Sequence, residues 1–139
     1  MSQQLDDNAM QHAIAVGSTF PWHEVYTADV AGTIKFYTEV LGWETESMDM
    51  PGGDGTYHML KANGTAVCGV FDTAMAGGAP PHWATYIAVD DVAKRLEKAV
   101  AAGSQVLVPM MEVPTVGTMA LIQDPFGATV WFYTPSAGG

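Results

Sequence analysis

At 139 residues the chain is the size of one domain, able to bury most of what its unfolded form exposes without disulfides or a structural metal. Fifteen acidic against five basic side chains leave a net charge of −10, which argues against nucleic acid as a partner; the single cysteine closes no internal disulfide. No apolar run approaches the roughly 20 residues of a membrane span, and the start lacks a charged segment followed by an apolar one, so a cytoplasmic location is expected.

Residues 1–19 carry little periodicity and are expected to be a flexible arm or a segment that packs on a neighbouring subunit, with His12 solvated. The first organised stretch predicts a strand over Phe20–Thr27, a helix over Val30–Leu41 capped by Asp29 and stopped by Gly42, and a strand over Trp43–Asp49. Ile34, Phe36, Tyr37, Val40 and Leu41 form the apolar stripe of that helix. A turn at Pro51–Gly55 leads to strands Thr56–Ala62 and Thr65–Phe71, joined by Asn63-Gly64, a strong hairpin signal. The glycine-rich turn lacks Lys and a following helix, so it is not a phosphate cradle.

Residues 72–81, rich in Gly and Pro, read as a linker. The grammar then repeats: strand Trp83–Val89, an Asp90-Asp91 cap, helix Asp91–Ala102 with Val92, Leu96, Ala99 and Val100 inward, and Gly103 at its end. Strands Gln105–Glu112, Val116–Gln123 and Ala128–Thr134 follow, the last two joined by Asp124-Pro125-Phe126-Gly127, and residues 136–139 form a tail. Trp22 and Trp83, Asp29 and Asp90, and Gly42 and Gly103 share one spacing, which points to a duplication. The expected fold is α+β: two βαβββ units, 20–71 and 82–135, in a single domain with a cupped mixed sheet and helices on its outer face.

Strand alternation places Trp22, Glu24, Tyr26, His82, Tyr86, Trp131 and Tyr133 on one face of that cup as candidate ligand-binding residues, with Val67, Gly69 and Phe71 beside them. The rings suit a flat or apolar small molecule. Glu24 is the candidate catalytic residue, because a carboxylate enclosed by rings is desolvated toward its neutral form and suited to general acid or base work. The alternative for Glu24 is a salt bridge or a hydrogen bond to Tyr86 that orders the cup. His23 points to the helix-covered side, and Cys68 reads as a small core hydrophobe.

Most specifically in Asp29, Ile34-Lys35-Phe36-Tyr37, Val40-Leu41-Gly42-Trp43, Val89-Asp90-Asp91 and Asp124-Pro125-Phe126-Gly127, and over about residues 20–135, the chain resembles the vicinal oxygen chelate superfamily of glyoxalases, extradiol dioxygenases and bleomycin-resistance proteins. That resemblance implies paired βαβββ units, a homodimer, and in many members a divalent metal held on the concave face. Its four ligand stations align with Trp22, Gly69 or Cys68, Ala84 and Trp131, of which Trp, Gly and Ala offer an ion no lone pair. No cofactor and no metal site are therefore expected; a divalent metal is the disfavoured option. The leading expectation is a glyoxalase-like protein binding an aromatic or apolar ligand. The alternatives are a metal-dependent lyase or dioxygenase using Glu24 and His82, with His58 as a third donor, and a resistance-type protein that sequesters a cationic drug.

Overall fold

The computed structural model describes Gly17, residues 19–49 and residues 55–136. Its elements are β1 (Trp22–Thr27), α1 (Val30–Leu41), β2 (Glu44–Asp49), β3 (Thr56–Ala62), β4 (Thr65–Asp72), a 3-10 turn (Thr73–Ala76), β5 (His82–Ala88), α2 (Val92–Ala101), β6 (Gln105–Val113), β7 (Gly117–Gln123) and β8 (Thr129–Pro135). The order is βαβββ twice, an α+β arrangement, as the repeat predicts. The arm before Gly17, including His12, and most of the Pro51–Gly55 turn lie outside the described residues. Among the described residues no helix is long and apolar enough to cross a membrane.

The described residues divide into two compact units, Trp22–Thr85 and residues 86–136, the second together with Gly17 and residues 19–21. In the first, the strands run β2-β3-β4-β1, with β1 and β4 parallel and the other pairs antiparallel. Helix α1 begins where the Asp29 carboxylate accepts the Gly32 amide at 2.8 Å, and ends at Gly42, whose φ of 69° is comfortable only for a residue without a Cβ. Under it lie Val25, Leu60, Cys68 and Val70, packed against Val30, Ile34, Tyr37, Trp43 and Val67. The stripe expected for α1 is narrower than the sequence suggests: Phe36, Val40 and Leu41 are exposed. Asn63 and Gly64 both take positive φ, the hairpin turn their dipeptide predicts. Beyond it the pairing of β3 with β4 shifts between Leu60 and Lys61, and this irregularity puts Val67 against the core beneath the helix instead of beside Gly69.

The second unit pairs β8 in parallel with β5 and antiparallel with β7, which in turn pairs with β6. Its core is Val89, Val92 and Ala120, flanked by Ile87, Leu96 and Phe132. The two aspartates before α2 divide their tasks: Asp91 caps the Lys94 amide at 3.1 Å, whereas Asp90 clamps Arg95 through two bonds of 2.8 and 2.9 Å. The cap equivalent to Asp29 is thus one residue later than the repeat spacing implies. The Asp124 carboxylate closes the last turn by accepting the Phe126 and Ala128 amides. Val100, expected inward, is exposed, and the helix cap is Ala102 with Gly103 just beyond at φ 105°.

Cys68 is 1% exposed. Burial pushes its thiol up to about 11 from an ordinary 9.0, and the charge of Glu24 adds to the rise. Because the folded value is the higher one, the unfolded thiol loses its proton first. The associated stability is complete below pH 9.0 and is lost as pH climbs toward 11. Cys68→Ala is expected to lose less of its urea midpoint than the parent chain between about pH 8 and about pH 11; an equal loss in both would remove the thiol as the cause.

Candidate functional site

The expected site residues fall into two groups, one in each unit. In the first, β1 and β4 run side by side with Glu24 opposite Gly69, and β3 places Met59 on the other flank of Gly69. Side chains alternate along a strand, so with Val25, Leu60, Cys68 and Val70 committed to the helix side, Trp22, Glu24, Tyr26 and Tyr57 point the other way. Tyr57 crosses β4 at the glycine: a Cβ built on Gly69 would run into the Tyr57 hydroxyl. Through that gap the phenol donates to Glu24 Oε2 at 2.7 Å, while Trp22 Nε1 donates to the phenol oxygen at 3.0 Å. Tyr26 donates to Glu24 Oε1 at 3.4 Å.

Glu24 is 7% exposed, and its two oxygens each accept from a phenol, which fixes the carboxylate in one orientation. Burial, then the negative charge of Glu24 and the bond to it, hold the Tyr57 phenol far above its ordinary range and therefore protonated. Tyr26 carries a stacked His82 on one side, with ring centroids 4.8 Å apart, and a tilted Phe71 on another at 5.3 Å. His82 is held by Pro80, whose carbonyl lies 2.7 Å from Nδ1.

The second unit gathers the remaining candidates. Tyr86 and Trp131 are register partners on β5 and β8, and their rings stack at 5.3 Å and 11°. Tyr133 meets Tyr86 edge-on at 6.3 Å, and its hydroxyl donates to the Val116 carbonyl at 2.9 Å. Burial raises the Tyr133 phenol. Tyr86 and Trp131 are buried, so their faces are largely spent on each other.

Several expectations change. His58, considered as a third metal donor, shares the Leu60 side of β3 and bonds Ser47 across to β2 at 2.9 Å, away from Glu24. Cys68 is a core residue of the helix side and is no ligand station. His23 lies opposite Glu24, as expected, and its Nδ1 is 2.6 Å from Thr85 Oγ1. Tyr57, the residue that completes the polar network, was not among the candidates. Its signal was available in Thr56-Tyr57-His58, where alternation forces Tyr and His to opposite faces, joined to a glycine at the station opposite Glu24.

At the positions aligned with the family's ligand stations, Trp22 only donates, the Ala84 side chain has no polar atom, and the space above Gly69 is filled by the Tyr57 ring. Among the described residues no three His, Cys, Asp or Glu side chains gather closely enough to hold a metal.

A cavity of about 570 Å³ opens at the end of β1, where Tyr26 and His82 meet the start of α1; Val25, Asp29, Phe36, Tyr37 and Trp83 are among its walls.

The family model described as Glyoxalase/Bleomycin resistance protein/Dioxygenase superfamily matches residues 19–132. Over 111 residues the chain is 40% identical to the Mycobacterium bovis protein named "Putative glyoxylase CFP32", covering 78% of this chain and 42% of that one. It is 31% identical over 125 residues to the anthracycline biosynthesis protein DnrV of Streptomyces peucetius, covering 79% and 45%. The chain thus spans less than half the length of these curated relatives. Among solved structures, methylmalonyl-CoA epimerase from Mycobacterium tuberculosis matches with a TM-score of 0.62 over 88% of this chain and 91% of that one; at 12% identity the likeness is one of fold.

Proposed function

From its membership of the Glyoxalase/Bleomycin resistance protein/Dioxygenase superfamily, we infer that the chain binds a small organic molecule on the Glu24 face by rings and hydrogen bonds, without a divalent ion. The carrying observation is the phenol of Tyr57, seated over Gly69 and donating to Glu24 at 2.7 Å. The station where relatives place an electron-pair donor is taken by a ring, and the carboxylate is tied to hydroxyls. Such a surface is organised before any ligand arrives, so little ordering cost opposes binding.

A planar hydroxylated aromatic compound fits this reading. The indole of Trp22 and the Tyr26–His82 stack provide ring surface, and the phenols held on Glu24 provide polar groups beside it. The name of DnrV, a protein of anthracycline biosynthesis, supports the same ligand class. A metal-dependent lyase or dioxygenase using Glu24 and His82 draws no support from the geometry, because His58 lies on the opposite face.

Titrating a dihydroxyanthraquinone into the purified chain, read by calorimetry, is expected to give saturable binding at one site. In Tyr57→Phe the carboxylate loses its short bond, and affinity is expected to fall about tenfold, the size of one hydrogen bond to a charged group. Absence of binding, equal affinity in the variant, or metal retained at one ion per chain after dialysis against a chelator would each overturn the reading.

A further inference from the structure

The cavity at the end of β1 has a wall chemistry the Glu24 face lacks. Tyr37 is among its walls, with Trp43 stacked on it at 5.8 Å and 23°. Two further rings stand perpendicular to Tyr37: Phe36 at 5.0 Å and 87°, and Trp83 at 5.6 Å and 82°. Phe36 is 55% and Trp83 48% exposed, so neither ring is consumed by the core. Phe36 and Trp83 thus bring exposed ring surface to the cavity on either side of their edge contacts with Tyr37, and aromatic faces attract positive charge.

The rest of the lining agrees in sign. Asp29 belongs to it, no Lys or Arg does, and among the described residues Asp29 makes no ion pair. At the start of α1 the Asp29 carboxylate already takes the Gly32 amide at 2.8 Å, so an anion there would meet a negative charge. The net charge of −10 raises the local concentration of cations around the molecule as a whole. A volume of about 570 Å³ lies within the usual range for small-molecule sites.

We propose that this cavity binds a small organic cation, an alkylated ammonium group set against the rings of Phe36 and Trp83 with the Asp29 carboxylate beside it. The inference does not depend on the reading of the Glu24 face, although Tyr26 and His82 border both. Alkylated ammonium fits better than a bare one because its methyl groups shed water readily while the charge is still felt by the rings.

The test uses choline and its uncharged carbon isostere, in which a tert-butyl group replaces the trimethylammonium. Calorimetry at low salt and about pH 8, above the ordinary imidazole range, is expected to show saturable choline binding at least about tenfold tighter than that of the isostere. Trp83→Ala should weaken choline by about three- to tenfold, the scale of one cation–π contact. Asp29→Asn keeps a good helix cap but removes the charge, and should weaken choline while flattening its salt dependence. Phe126→Ala, which removes an exposed ring in another turn, should change nothing. Equal affinity for the isostere, unchanged choline binding in Trp83→Ala, or no binding by the parent chain would overturn the proposal.

Discussion

Gly69→Ala is expected to cost about 2–5 kcal/mol of folding stability, far more than a methyl group on a strand normally does. The strand itself is not the reason, since alanine tolerates extended backbone. The reason is that Tyr57 passes directly over the glycine on its way from β3 to Glu24 on β1, and an added Cβ would occupy the place of the phenol. Either the strands part, or the phenol leaves and a buried carboxylate loses its 2.7 Å bond. Urea denaturation measures the loss. The double variant Gly69→Ala/Tyr57→Ala separates this account from a general intolerance of the strand: with the ring gone, alanine should cost little more, and the two effects should fall well short of adding. Additive effects would show that the contact is not the cause.

Leu60→Ala is expected to cost a similar amount, about 2–5 kcal/mol, for a different reason. Leu60 is 0% exposed and sits on β3 between Val25, Cys68 and Val70, under Ile34 and Tyr37 of α1. Removing its three outer carbons leaves a hole that sheet and helix backbones on both sides cannot close. Because Leu60 and Tyr57 belong to opposite faces of β3, dihydroxyanthraquinone affinity measured well below the melting temperature should stay within about twofold. A large loss of affinity with little loss of stability would show that the helix-side core also shapes the ligand face.

The helices were legible because their ends carry chemistry that works locally: Asp29 and Asp91 reach amides a few residues on, and Gly42 supplies a left-handed stop. Strand alternation was equally local, and it put Trp22, Glu24 and Tyr26 on one face as expected. What lay beyond the sequence was which neighbour each face meets. Phe36, Val40 and Leu41 satisfy a helical period, yet the sheet under α1 is wide enough only for Val30, Ile34 and Tyr37. Tyr57 went unnoticed because its partner is two strands away, reached only through a gap that Gly69 creates. The turn at Thr73–Ala76, within the stretch read as a linker, has too few residues for any period; its one signal is Asp72, which caps the Ala74 amide at 2.8 Å.

Among the described residues strand β6 borders only β7, and Val106, Leu107, Met110 and Met111 on it are exposed. A rim of this kind invites another chain to hydrogen-bond alongside it and grow into a fibril. Here Pro109 has no amide to offer, and the ladder with β7 slips twice between Val106 and Met111. A would-be partner strand meets a residue without an amide and an uneven ladder there, which works against regular continuation of the sheet.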